Sequence, residues 1–326
     1  MATIEHPASP AAASVASLGA PRHHSVVFLA MLALFIAAPF LLYPVFIMQA
    51  LCFALFACAF NLLVGYAGLL SFGHAAFFGS ASYVTAHAAK VWGLPPELAL
   101  LAGAGAATLL GLVFGVLAIR RQGIYFAMIT LALSQLIYFY ALQSPWTGGE
   151  DGIQGVPRGT LFGLIDLSNQ MTLYFVVLAI VMGGLLLIYR ITHSPFGQVL
   201  KAIRENEPRA VSLGYRVDHY KLIAFVLSAA LSGLAGSTKV LVVQLASLTD
   251  VYWAMSGEVV LMMLLGGLGT VFGPVVGAVF IIGLQDFLSD LGAWVTIVQG
   301  VIFVLCVLLF RRGIVGELAR LLGKPL

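Results

Sequence analysis

Charge is what this sequence most lacks. Of its 326 residues, 9% are Asp, Glu, Lys or Arg, against about 25% in soluble domains. So few charges cannot cover a water-soluble surface, which excludes an ordinary soluble enzyme or binding domain. Cysteine is scarce too: Cys52, Cys58 and Cys306 all lie in apolar runs, and their spacing gives neither a disulfide framework nor a zinc site. The seven His are scattered, with only His23 and His24 adjacent. There is no phosphate-cradling GxxxxGK[ST] loop: the terminal Leu-Leu-Gly-Lys runs into Pro325 and lacks the upstream Gly. HExxH and GxSxG are absent as well. No residue is therefore assigned to catalysis or to a metal. The net charge of +3 is small, and nucleic acid is not an expected partner.

What the chain has is apolar length. It is 61% hydrophobic, and several runs reach the roughly 20 residues that cross a bilayer as a helix. A β-barrel would show short alternating segments instead. The expectation is an all-α polytopic membrane protein with about ten transmembrane helices, near 26–43, 46–64, 72–90, 98–119, 123–142, 172–190, 219–242, 256–269, 273–289 and 293–310. The lipid bilayer is its first partner. Residues 1–25, rich in Ala, Ser and Pro, read as a disordered cytoplasmic tail. The apolar run after His24 shows no convincing cleavage site and reads as a retained span. A transmembrane domain over 26–311 and a cytoplasmic tail over 312–326 complete the division.

Orientation follows from Lys and Arg, which favour the cytoplasmic side. With both termini inside, 13 of the 16 are cytoplasmic: Arg22, Arg120, Arg121, Arg190, Lys201, Arg204, Arg209, Arg216, Lys221, Arg311, Arg312, Arg320 and Lys324. Lys90, Arg158 and Lys239 fall at the outer face. The one sizeable external segment, 143–171, is dense in turn formers and mildly acidic through Glu150, Asp151 and Asp166. It reads either as a solvated connector or as a surface for an external partner.

Three stretches depart from plain apolar helix: Asn61 to Gly79, Ser228 to Lys239, and Gly266 to Gly277. Their glycines allow close helix packing. Gly with Pro also breaks helices, which is tolerated at depth only where protein or water covers the freed backbone. Close packing and a place along a translocation path are both open readings. Ionisable groups near spans are few: His74 near the inner end of the third span, Glu258 at the start of the eighth, and Asp286 and Asp290 closing the ninth. No carboxylate–base relay is evident, which disfavours a stand-alone secondary carrier.

The long polar run Arg190–Lys221 holds six of the Lys and Arg. Ser194-Pro195 starts a helix well, and Phe196, Val199, Leu200 and Ile203 form an apolar stripe. Pro208 interrupts it. Arg209 to Leu213 makes one or two further turns, and Gly214 suits the position past a helix end. The segment 194–214 thus forms two short helices, for docking on another protein or for lying on anionic lipid.

The runs NLLVGYAGLLSFGHAAFFG, SPFGQVLKAIRENEPRAVSLG, KLIAFVLSAALSGLAG and LLGGLGTVFGPVVGA, in that order, resemble the permease subunit of bacterial branched-chain amino-acid ABC importers, the LivM type. The resemblance implies a type II importer-like fold with broken, Gly-rich helices and a cytoplasmic coupling helix, in the inner membrane. It implies a second homologous permease subunit, two cytoplasmic ATPase subunits and a periplasmic solute-binding protein. ATP and Mg then sit on the ATPases and no cofactor on this chain. Arg204, Glu205, Glu207, Arg209, Ala210, Leu213 and Gly214 become the ATPase-coupling residues. Asn61, Tyr66, Ser71, His74, Gly266, Gly267 and Gly269 become the expected translocation path. Relatives import urea, amides or aromatic acids, so the solute stays open.

Overall fold

A computed structural model describes residues 22–289, 292, 294–309 and 313–321. Most of the tail expected over 1–25 lies outside the described residues, as do Asp290, Arg311, Arg312 and Lys324. The helices are α1 (Arg22–Ala37), α2 (Pro44–Asn61), α3 (His74–Lys90), α4 (Pro96–Ala118), α5 (Ile124–Gln143), α6 (Gln170–His193), α7 (Pro195–Glu205), α8 (Glu207–Ser212), α9 (Val217–Val243), α10 (Leu248–Val251), α11 (Trp253–Gly266), α12 (Gly273–Phe287), α13 (Trp294–Leu309) and α14 (Gly313–Leu321). Four two-residue strands join them: β1 (Ile153–Gln154), β2 (Thr160–Leu161), β3 (Ile165–Asp166) and β4 (Leu245–Ala246). Pro stands in the first turn of α2, α4, α7, α8 and α12. There its missing N–H leaves nothing unpaired and its fixed φ already suits a helix.

Among the described residues, α2, α4, α5, α6 and α9 are long and apolar enough to cross a membrane. The expected spans at 256–269 and 273–289 are instead α11 and α12, of 14 and 15 residues. At 1.5 Å per residue each covers about 21–23 Å, short of the ~30 Å apolar core. They meet at a non-helical break, Gly267 to Phe272.

α2 is the hub. It packs against α6, α9, α11 and α12, and the residues from Ala50 to Leu63 are all buried. A second layer of α3, α4 and α9 owes its closeness to small residues. A methyl on Gly111 would meet Ala229, one on Gly233 would meet Ala107, and one on Gly236 would meet the Phe78 carbonyl. This decides between the two open readings of one stretch. Ser228 to Lys239 is not a break but uninterrupted helix inside α9, where its Gly and Ala serve packing. The other two Gly-rich stretches do break, at residues 68–73 and 267–272.

The segment 143–171 is ordered against the membrane helices. β1 pairs antiparallel with β4, and β2 with β3. Arg158 donates to the Leu241 and Val242 carbonyls at 3.1 and 2.9 Å, closing the free carbonyl end of α9. Lys90 donates to the Gln154 carbonyl at 2.6 Å. Asp166 accepts from the Ser168 N–H at 2.8 Å, which holds its carboxyl below the usual range.

Candidate functional site

The two breaks lie side by side, and a single side chain joins them. Asn61, at the end of α2, donates its amide to the Thr270 carbonyl at 2.8 Å and accepts from the Gly269 N–H at 3.0 Å. Thr270 in turn donates to the Gly267 carbonyl at 2.8 Å and accepts from Gly273 N–H at 3.1 Å. Four of the freed backbone groups between residues 267 and 273 are thereby paired within the protein, as a break inside a membrane favours. Gly269 has φ +77 and Gly267 φ +130, conformations that L side chains rarely adopt. A methyl on Gly266 would run into the Gly273 carbonyl. Asn61, Gly266, Gly267 and Gly269 are therefore brought together. Tyr66 stands near them in the wide π-helical turn Leu62–Ala67 that ends α2. Its ring is buried, with the Lys201 ammonium 5.4 Å above it.

Ser71 and His74 form a second knot across the other break. Ser71 accepts from Gly73 N–H at 3.1 Å. His74 Nε2 lies 2.8 Å from Ser228 Oγ, and Ser228 donates its one proton to the Ala59 carbonyl at 2.5 Å. A hydroxyl has a single donor, so Nε2 carries the imidazole proton and Nδ1 is left as an unpaired acceptor. Phe60, Phe77 and Phe225 ring the imidazole, with centroids 4.8, 5.3 and 5.8 Å away. His74 begins α3, yet it meets α9 eleven residues in from Val217, about 16 Å along that helix. It is a buried pin between α2, α3 and α9, at the first residue of α3.

Three residues of this region escaped the sequence reading. Thr130 Oγ1 accepts from Phe72 N–H at 3.2 Å. Ser256 donates to the Phe72 carbonyl at 3.0 Å and accepts from Ala75 N–H at 2.9 Å. Ser228 ties His74. The signal available was a lone hydroxyl in an apolar helix. Beside the break lies a crevice of 710 Å³ between residues 68–72 and the first half of α5, walled by Leu69, Phe72, Phe126, Met128 and Leu131 among others.

α7 and α8 pack against α6, α9 and the turn that ends α2, and three polar contacts add to that packing. Ser194 caps α7 by accepting from Gly197 N–H, and Asn206 caps α8 by accepting from Arg209 N–H at 3.1 Å. Pro208 thus starts α8 and does not merely interrupt. Gly214 N–H bonds the Val211 carbonyl and Tyr215 N–H the Ala210 carbonyl, the paired closure that an αL glycine permits. Arg204 donates to the Gly65 carbonyl in the turn that ends α2. Glu207 pairs with the buried Lys221 of α9 at 2.8 Å. Gln122, between α4 and α5, donates to Glu207 at 2.9 Å.

The expected coupling residues therefore divide. Glu205, Arg209, Leu213 and Gly214 are exposed. Arg204 is exposed but anchored, Glu207 is half-buried and paired, and Ala210 is buried against Ile203 and Val217. Val211, 57% exposed beside Leu213 at 69%, belongs to the open face and was missed.

One further charge pair was not foreseen. Lys239 of α9 meets both carboxylate oxygens of Asp250 at 2.8 Å, and both residues are buried. Asp250 also closes the turn at α10 by accepting from Ser247 N–H at 3.2 Å. Glu258 accepts from Gln285 at 3.3 Å, joining α11 to α12, while Asp286 is exposed. Among the described residues no three His, Cys, Asp or Glu side chains converge as a metal would require.

A family profile described as "Branched-chain amino acid transport system / permease component" matches residues 43–308. The chain is 31% identical over 281 residues to the high-affinity branched-chain amino acid transport system permease protein LivM of Salmonella typhimurium, covering 78% of this chain. It is 28% identical over 282 residues to LivM of Escherichia coli, again covering 78%. The match spans about two thirds of the length of each, 65%. The autoinducer 2 import system permease protein LsrC of Salmonella paratyphi B is 29% identical over 199 residues, 56% of this chain and 55% of the relative. No solved structure matches. The relatives are permease components of transport systems, and the profile covers most of the chain: this protein belongs to the branched-chain amino acid transport system permease component family.

Proposed function

We propose that this chain is the permease subunit of an ATP-driven importer for amino acids with branched apolar side chains, in a bacterial inner membrane. It pairs with a second homologous permease. Two cytoplasmic ATPases, which carry ATP and Mg, dock beneath, and a periplasmic solute-binding protein delivers the solute from above. The chain itself holds no ATP and catalyses no reaction. About ten spans, with α1, α3 and α11–α13 completing the five long helices, put both termini in the cytoplasm. The excess of Lys and Arg on that side supports this orientation.

The observation that carries the reading is the wiring of α8. Its free face, Arg209, Val211 and Leu213, is available to a partner, while Arg204, Glu207 and Lys221 bind the segment to α2 and α9. A partner on α8 thereby acts on the α2 turn at Gly65, four residues after the Asn61 that clamps Gly269. ATPase closure shifts the permease only through contacts that differ between its two states, and these three contacts are the candidates. In this reading Asn61, Tyr66, Ser71, His74, Gly266, Gly267 and Gly269 hold the packed wall that rearranges. The solute itself passes along this wall. Urea, amides and aromatic acids remain the alternative solutes.

The test is reconstitution. The chain should co-purify with an ATPase and a second permease, and liganded binding protein should raise ATP hydrolysis in liposomes. Amino-acid uptake by the purified single chain without ATP would overturn the reading.

A further inference from the structure

A second cavity, of 400 Å³, lies at the other end of α5, between α3, α4 and the turn that follows α5. Its chemistry differs from that of the crevice beside Gly68–Phe72. None of the eleven side chains lining that crevice has a hydrogen-bonding group. Five of the ten residues lining the second cavity do: Ser80, Tyr83, Tyr140, Trp146 and Thr147. The other five, Leu110 among them, are aliphatic. The cavity is thus amphipathic, three aromatic rings and a set of aliphatic groups with hydroxyls between them.

Two features mark it as built. Tyr83 is 2% exposed, and its hydroxyl has no hydrogen-bond partner among the described residues. Buried polar groups are nearly always paired, and this residue lines the cavity, so a polar group of an occupant can supply the partner it lacks among the described residues. The walls are also fixed. Trp146 stacks on His87 with centroids 4.5 Å apart. Thr147 donates to the Ala141 carbonyl at 2.5 Å. The β1–β4 pair and the Lys239–Asp250 bridge hold the neighbouring turn. Exposed Glu150 and Asp151 lie three and four residues after Thr147, in the next turn, and attract a positively charged group.

We infer that this cavity is a receiving subsite for a free amino acid, taking a large apolar side chain against Trp146 and Tyr140 while the ammonium faces Glu150 and Asp151. This rests on the importer reading above and deepens it: the permease itself favours leucine- or phenylalanine-sized side chains over alanine. A lipid acyl chain is the competing occupant. It offers nothing to the Tyr83 hydroxyl and suits the wholly apolar crevice better.

The test uses the assembled importer in nanodiscs with a diazirine-bearing leucine. Crosslinks are expected on the segments holding Tyr83 or Trp146, displaced by leucine and not by glycine. Crosslinks only elsewhere overturn the subsite, as does labelling of those segments by a diazirine-bearing phospholipid that leucine fails to displace. In cells, Trp146→Ala should lower leucine uptake relative to alanine uptake by about 10-fold, the scale of discrimination that apolar pockets reach. Equal loss of both solutes, or an unchanged ratio, contradicts it. An unsubstituted importer that takes up no amino acid overturns the amino-acid reading itself, and the subsite falls with it.

Discussion

α2 and α5 are both long apolar helices, and they are packed in opposite ways. Within α2 and its terminal turn 89% of the most apolar window is buried; for α5 the figure is 22%. Every polar side chain at the foot of α2 is committed to a neighbour, whereas α5 is bordered by a cavity at each end. Hydropathy does not predict the contrast: α4 has the same mean hydropathy as α2 with its terminal turn, 2.2, yet 33% of its most apolar window is buried, since hydropathy measures what a helix could exchange with lipid, not what covers it. The helix that is locked supplies a frame. The helix that is loosely held can move at small cost, and interiors packed without voids leave no such freedom.

The contrast can be broken first at the frame. Gly277→Ala places a methyl into the Met262 carbonyl where α12 crosses α11. Backbone cannot yield as a side chain can, so the folded yield in detergent should collapse. Lys239→Ala comes next. It leaves Asp250 buried and unpaired, a loss of about 3–5 kcal/mol that thermal unfolding would read, and Lys239→Met with Asp250→Leu should recover most of it. Asn61→Ala orphans the Gly269 N–H and the Thr270 carbonyl, for about 1–3 kcal/mol each. On α5, by contrast, Met128→Ala, at a residue 62% exposed, should move stability by less than about 0.5 kcal/mol. The same change should alter uptake if α5 moves. A stability loss there as large as that of Asn61→Ala would erase the distinction between frame and mover.

Much of this architecture was legible in the residues. Apolar length gave the helices, Ser194-Pro195 and Gly214 bounded α7 and α8, and Gly with Pro marked the break at 267–272. What was not legible was pairing across long sequence separation. Nothing near Asn61 in the chain points to Thr270, and nothing near Lys239 points to a buried Asp250. The Ser228–Lys239 stretch stayed open between two readings for a related reason. Glycine spacing alone does not tell a helix that breaks from one that packs closely, and only the presence of Ala107 and Phe78 opposite decides it. Likewise the open face of α8 falls on Val211, not Ala210, because Ala210 turns toward Ile203.

The central claim is that the docking helix drives the permease through Arg204 and the turn that ends α2. Arg204→Ala removes the bond to the Gly65 carbonyl and leaves the outer face of α8, Arg209, Val211 and Leu213, intact. In liposomes holding the assembled importer, ATP hydrolysis and solute uptake are measured together. Hydrolysis that continues while uptake per ATP falls several-fold is the predicted result. Uptake per ATP equal to that of the unsubstituted protein would contradict the claim.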